Sequence, residues 1–187
     1  MIFLSNEHIT LRPLERTDLT AAYVQWLNDA EVCRHNSHAI FPYTREKMEA
    51  YFEHLQANAR NTIVLAMIHP GDKTHVGNIS LQAIDWVVRS AELAILLGER
   101  NHWGKGLATQ AAGLLCDYGF SRLNLNRIYC GTSAANTGMQ RLASRLNMTK
   151  EGVRRQALYK NGEYVDVVEY GLLRKEFLFP QSVHEAG

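Results

Sequence analysis

Residues 100–110 read RNHWGKGLATQ. Gly104 and Gly106 flank Lys105, and apolar residues at helical spacing follow at once. A helix N-terminus leaves up to four backbone N–H groups without intrahelical partners and carries about half a positive charge. Glycine ahead of it admits positive φ and lets the backbone approach a phosphate closely. The pattern is that of an anion cradle, with Lys105 adding a cation. Each charge-assisted bond to a phosphate oxygen contributes roughly 1.5–3 kcal/mol.

Other glycine-rich motifs fit less well. A dinucleotide fingerprint wants a third glycine where Thr109 stands, and an acidic residue about 20 residues on, where Tyr129 stands. A Walker loop wants Gly-Lys-Ser/Thr, and Lys105-Gly106-Leu107 does not supply it. The bland alternative is a tight turn before a core helix. Cys33, His35 and His38 cluster in sequence, but no fourth ligand follows at zinc-site spacing, so no metal is expected.

The elements that must position the cradle are legible from periodicity. HITLRPL (8–14) alternates as a first strand. Thr17 and Asp18 are placed to cap a helix that runs to about Asn28, with Leu19, Tyr23, Trp26 and Leu27 on one face. Residues 29–43 are irregular, and Thr44 caps a second helix striped by Met48, Tyr51, Phe52 and Leu55. Apolar runs at 61–69, 75–84 and 91–99 are joined by short connections, which predicts an antiparallel meander. The helix after Gly106 carries Leu107, Ala111, Leu114 and Tyr118 on one stripe. A strand at 125–133, a helix after Asn136 and two strands joined by Lys160-Asn161-Gly162 complete the chain. The predicted order is β-α-α-β-β-β-α-β-α-β-β: one α+β domain with a mixed, mostly antiparallel sheet of about seven strands and about four helices.

The 187 residues suit one domain, with a core over 8–173 and a C-terminal tail over 174–187. Hydrophobic residues at 46% and charged residues at 21% are the balance of a globular protein. A formal net charge of +1 gives no global pull toward nucleic acid or a membrane surface. Three widely spaced cysteines and no apolar stretch of membrane-spanning length lead to the expectation of a reducing, cytoplasmic compartment.

The stretch NHWGKGLATQAAGLLCDYGF (101–120) resembles motif A of the GNAT acetyltransferases, which runs Gln/Arg-x-x-Gly-x-Gly/Ala between a strand and a long helix. The likeness continues through LNRIYCGTSAANTGMQRLASRLNM (125–148) and EGVRR…NGEYVDVVEYGLL (151–173), and the wording is most similar to the RimJ/RimL-type branch. It implies a GNAT fold and an acetyl-CoA-dependent N-acetyltransferase. The cofactor-binding residues implied are Ile95, Leu96 and Leu97 along the pantetheine arm. Asn101, His102, Trp103, Gly104, Lys105, Gly106, Leu107 and Ala108 are implied at the pyrophosphate, with Asn136 and Arg145 alongside. It also implies that strand 91–98 splays from strand 126–132. His102 is expected to turn its side chain to the surface.

The departures carry information. Asn101 stands where the motif has Gln/Arg, and Asn147-Met148 stands where Gly-Phe is usual. Many GNAT enzymes carry a general-acid tyrosine on the last helix, and the matching position is Ala143. The serine and glutamate of the ribosomal-protein acetyltransferases would fall on Met139 and near Leu158. Neutralising a lysine amine of pKa about 10.4 at pH 7 costs about 4.6 kcal/mol, against about 1.0–1.4 for an α-amine. Without a strong base, an amine of low basicity is the natural acceptor.

The catalytic candidates are therefore Glu92, as a base acting directly or through water, and Tyr159 as a proton donor. His75 and Asp85 are weaker candidates. Trp26, Asn28, His38 and Phe41 lie in the segment that the resemblance implies walls the acceptor site, and its wording loosely resembles acetyltransferases acting on amino sugars of nucleotide-sugar pathways. The expected reaction is direct acetyl transfer to a primary amine of a small metabolite, such as an amino sugar. The alternatives are the N-terminus of a protein, or an acyl-CoA sensor without turnover. The expected partners are acetyl-CoA and an amine, with a homodimer as the one assembly entertained. Neither nucleic acid nor membrane is expected.

Overall fold

The computed structural model describes residues 1–178, so most of the tail expected over 174–187 lies outside the described residues. The elements run β1 (Leu4–Ser5), β2 (Thr10–Pro13), α1 (Ala21–Asn28), α2 (Arg45–Ala57), β3 (Ile63–Ile68), β4 (His75–Asp85), β5 (Ser90–Leu97), α3 (Leu107–Ser121), β6 (Arg127–Ser133), α4 (Thr137–Arg145), β7 (Thr149–Lys160) and β8 (Glu163–Leu173). One sheet holds all eight strands in the order β1-β2-β3-β4-β5-β6-β8-β7. The expected α+β GNAT architecture is present. The added strand β1 is only two residues long, too short for alternation to register in sequence.

The meander of β3, β4 and β5 is antiparallel, as predicted. The β5–β6 pairing is parallel and holds only at Ser90–Arg127, Ala91–Ile128 and Glu92–Tyr129. Beyond Glu92 each strand continues, β5 to Leu97 and β6 to Ser133, without pairing to the other. The splay expected between these strands is therefore in place. It leaves a notch in the middle of the sheet.

Side-chain alternation divides the sheet into two covered faces. Ala91, Leu93, Ile128 and Cys130 pack with Leu107, Ala111, Leu114 and Leu115 of α3 and with Leu142 and Leu146 of the last helical turn. On the opposite face Ala66 and Ile68 pack with Tyr23, Trp26 and Leu27 of α1 and with Met48 and Phe52 of α2. Glu92, one residue out of phase with Ala91 and Leu93, belongs to the α1–α2 face.

The first helix starts later than the caps expected at Thr17 and Asp18. Thr20 caps it, its hydroxyl accepting from the Tyr23 amide at 3.3 Å. Asp18 is unavailable because its carboxylate accepts from Arg12 Nη1 and Nη2 at 2.7 and 2.6 Å and from the Glu15 amide at 2.7 Å. Burial pushes Asp18 up, but those hydrogen bonds outweigh it and hold the carboxyl below its ordinary range. Thr44 and Asn136 do cap their helices. Asn161 and Gly162 take φ of 54° and 87°, the signs a type I′ hairpin turn requires. Asn147 takes φ of 60° and closes the C-terminus of α4, as an asparagine in the left-handed region can.

Candidate active site

The notch is framed on the α3 side by the glycine stretch. Gly104 and Gly106 adopt φ of 75° and 79°, a region that only glycine enters freely. Gly106 is the N-cap of α3, and its carbonyl accepts from the Thr109 and Gln110 amides at 3.0 and 3.1 Å. Among the described residues the N–H groups of Gly104, Lys105, Gly106, Leu107 and Ala108 find no backbone acceptor. Arg145, at the end of α4, brings Nη1 to 4.0 Å from the place a Cβ on Gly106 would occupy. Five amides without a backbone acceptor thus gather at one helix N-terminus with Arg145 beside it, an arrangement suited to an anion.

The strand leading into it offers its edge. A Cβ on Gly77 would sit 2.1 Å from the Leu96 carbonyl oxygen, so Leu96 turns its backbone toward β4. By strand alternation Ile95 and Leu97 turn theirs toward the notch. The Leu97 carbonyl accepts from Trp103 Nε1 at 2.8 Å, which pins Trp103 against the strand. Asn101 is exposed in the single 3-10 turn over Arg100–His102.

One sequence expectation changes here. His102 is buried, at 8% exposure, rather than turned to the surface. Its ring packs on His69 with centroids 4.7 Å apart, and the turn Pro70–Thr74 folds over it, bringing Asp72 Oδ2 to 3.7 Å from Nε2. The Asn136 side chain is held from both ends by one bond each, which leaves one N–H and one lone pair of the amide. Oδ1 accepts from the Met139 amide at 3.1 Å, and Nδ2 donates to Thr132 Oγ1 at 3.0 Å.

On the α1–α2 face the structure brings Glu92 beside Tyr129, a residue that sequence reasoning passed over. Gln82 Nε2 donates to Glu92 Oε2 at 3.1 Å and fixes the carboxylate. Burial, then the Glu92 charge, push the Tyr129 phenol up, so it stays protonated through neutral pH. Tyr129 is out of phase with Ile128 and Cys130, so its face was readable, but its meeting with Glu92 depends on the parallel register. Tyr159 is not brought to this pair. It stacks on Tyr164 at 4.9 Å near the hairpin tip, seven residues along β8 from the position opposite Tyr129, roughly 20 Å away.

The segment expected to wall the acceptor site sorts into three roles. Trp26 is core, at 6% exposure, with Nε1 donating to Glu99 Oε1 at 3.2 Å and its ring lying over Gly98. Asn28 closes the 29–43 connection, donating to the Val24 and Tyr43 carbonyls and accepting from the Tyr43 amide. His38 pairs through Nδ1 with the Tyr43 hydroxyl at 2.9 Å. Phe41 presents an apolar ring to solvent, at 74% exposure.

The chain as a whole has known relatives. A family model of the acetyltransferase (GNAT) domain matches residues 8–149. The chain is 33% identical over 178 residues to the uncharacterized N-acetyltransferase p20 of Bacillus licheniformis, spanning 93% of this chain and 97% of that protein. It is 31% identical over 175 residues to the spermidine N(1)-acetyltransferase of Escherichia coli strain K12, spanning 93% and 90% of the two. The crystal structure of the spermidine N-acetyltransferase from Vibrio cholerae in complex with CoA and spermine has a TM-score of 0.82 and 26% identity, over 91% of this chain and 98% of that one. With its split sheet, its glycine cradle and a family match over most of its length, the chain belongs to the GNAT acetyltransferases and is an acetyl-CoA-dependent N-acetyltransferase.

Proposed function

We propose that the chain acetylates the primary amine of a small metabolite by direct transfer, with both substrates bound together. The observation that carries this reading is the split after Glu92: a phosphate cradle opens on one face of the notch and a fixed carboxylate on the other. Bound acetyl-CoA supplies an acetyl thioester. The residues present suit it: a Cβ on Gly104 meets nothing within 4 Å and one on Gly106 only Arg145, so the space in front of the free amides is open.

Gly104 to Ala108 hold the pyrophosphate through backbone N–H groups, with Lys105 and Arg145 adding charge. Ile95 and Leu97 offer backbone groups to the pantetheine arm. Glu92 accepts the proton the amine must lose, directly or through one water. The acetyl group moves from sulfur to nitrogen, the C–S bond breaks, and the sulfur gains a proton as the nitrogen loses one. The helix that carries a tyrosine acid in many relatives presents Ala143, fully buried, so positioning and backbone polarisation carry most of the rate.

An amine of low basicity, such as that of an amino sugar, suits this machinery because little free energy is needed to neutralise it. The spermidine acetyltransferases among the relatives support a small amine over a protein N-terminus. Thiol release from acetyl-CoA across amino sugars, polyamines, lysine and N-terminal peptides tests the reading. Turnover is expected with small amines, and turnover confined to peptides would overturn it.

A further inference from the structure

One row of residues crosses four strands at the point where the sheet splits. Gln82 of β4 stands opposite Glu92 of β5, Glu92 opposite Tyr129 of β6, and Tyr129 opposite Gly171 of β8. Neighbouring strands lie about 4.8 Å apart, so the Glu92 and Tyr129 side chains leave the sheet side by side on the α1–α2 face. The next residues on that face are Ala94 and Gly131, which do not pair with each other. Alanine and glycine are the smallest residues, so the first room in the notch past the split opens beside the carboxylate and the phenol.

Tyr129 is held in this place. The Arg127 guanidinium lies 5.7 Å from its ring centroid, and Arg127 Nη1 donates to Glu151 Oε1 at 2.6 Å. That ion pair lies over Gly171, where a Cβ would collide with Glu151 Oε1 and Arg127 Nη1. On the notch side the Arg154–Glu169 pair reaches over Gly131, with Glu169 Oε1 3.3 Å from the place of a Cβ. Burial raises the phenol first and the Glu92 charge next; Arg127 opposes them, and Glu169 and Asp85 add smaller rises. The largest of the charge effects thus belongs to Glu92, and it vanishes when Glu92 takes up a proton. The phenol then becomes the stronger acid, at the moment when a leaving thiolate needs one.

We propose that Tyr129 is the catalytic acid of the transfer and forms, with Glu92, a closed proton circuit around the thioester. This rests on the reading of Glu92 as the group that takes the amine's proton. The amine nitrogen bonds to the acetyl carbon, and its surplus proton passes to Glu92. The C–S bond breaks with its electron pair on sulfur, and the Tyr129 O–H gives that sulfur its proton. Glu92 then returns the amine's proton to the phenolate, which restores both groups with no proton taken from solvent. Arg127, over the ring, stabilises the phenolate in between. Tyr129 fills from β6 the role that Ala143 cannot fill from α4.

Two kinds of readout test this. In steady-state assays with glucosamine and with spermidine, Tyr129→Phe is expected to lower kcat about 100-fold for whichever acceptor turns over. The KM for acetyl-CoA should stay within about twofold, since the phenyl ring keeps the Arg127 contact. The basic limb of the kcat–pH profile, where the phenol ionises, should move to lower pH when 3-fluorotyrosine replaces Tyr129 alone, because fluorine makes the phenol more acidic. The second readout needs no turnover. The fluorine-19 resonance of that 3-fluorotyrosine is expected to shift when CoA binds, and to shift less than about half as far with desulfo-CoA, which lacks only the sulfur. A kcat within about threefold of wild type in Tyr129→Phe, an unmoved basic limb, or equal shifts with CoA and desulfo-CoA would overturn the proposal. Where neither amine turns over, the two resonance shifts decide. Failure of the small-amine reading shows instead as thiol release confined to peptides, whatever happens at position 129.

Discussion

Glu92 stands opposite Tyr129 in the last residue pair that β5 and β6 share. Up to that pair the sheet is continuous; past it the strands part, and backbone groups that would have bonded each other are left for a ligand. The carboxylate is half-buried and braced by Gln82, and the neighbouring phenol is protonated at neutral pH, which is why the proposed reading gives Glu92 the proton.

Glu92→Gln is expected to lower kcat about 100-fold, the low end of what a positioned base contributes. The amide can still accept from Gln82, so folding and the KM for acetyl-CoA should be unchanged. Steady-state rates with a saturating amine check this. A kcat within threefold of wild type would remove Glu92 from the proton path.

Gly106→Ala probes the cradle. Alanine at φ of 79° is strained by about 1–2 kcal/mol, and its Cβ would enter the space toward Arg145 that the phosphates need. Gly104→Ala is the cleaner comparison, because its Cβ meets nothing within 4 Å and only the backbone strain remains. CoA affinity by calorimetry is expected to fall tenfold or more for Gly106→Ala and less for Gly104→Ala. The reverse order would mean that conformation, not space, limits the site.

The cradle was readable because it is local: two glycines, a lysine and a helix stripe lie within a dozen residues. The same holds for the Thr44 cap and the Asn161-Gly162 turn. What sequence could not supply was register and long-range pairing. Tyr129 meets Glu92 only through a parallel pairing of strands separated by α3. Lys160 reaches His38 across 122 positions, with no periodicity to announce it. The internal bonds of Trp26, Asn28 and Asn136 were equally out of reach, because their partners Glu99, Tyr43 and Thr132 are set by the fold. His102 went inward because the Pro70–Thr74 turn, distant in sequence, folds over it.

Arg145→Ala is expected to weaken CoA binding about tenfold or more, the equivalent of one charge-assisted bond, and to flatten the salt dependence of that affinity. Arg145→Lys should recover most of the loss if the role is charge. Calorimetric titrations at 50 and 300 mM salt check both. An unchanged affinity in Arg145→Ala would assign the pyrophosphate to Lys105 and the amides alone.

His75 sets an acid limit on stability. It is packed between Tyr23 and Trp26, with Nε2 3.0 Å from Asn78 Oδ1. Burial lowers its pKa, and the Asn78 bond and the Asp18 charge only partly oppose this. A histidine lowered in the folded state binds fewer protons than in the unfolded chain below about pH 6.5. Stability is therefore full above that pH and is lost as pH falls toward the folded pKa. His38 contributes in the same direction. The Tm is expected to drop between pH 7.5 and 5.5, and His75→Gln to drop less. An equal drop in the variant would place the acid sensitivity elsewhere.

Gly98 and Trp26 are coupled by packing. A Cβ on Gly98 would lie 2.0 Å from Trp26 Cδ2 and 2.4 Å from Cγ, so the indole cannot stay where it is. Displacing it breaks the bond to Glu99 and the contact with His75. Gly98→Ala should therefore cost about 2–3 kcal/mol, at the upper end for overpacking. Trp26→Leu should cost a similar amount for the opposite reason, an unfilled space. Combined, the two should cost at least 1 kcal/mol less than their sum, since the methyl then occupies room the indole has vacated. Urea midpoints of the four proteins in the cycle measure the coupling directly. Strict additivity would mean that the backbone at Gly98 moves instead of Trp26. In that case the α1 wall of the acceptor face would be softer than its packing implies.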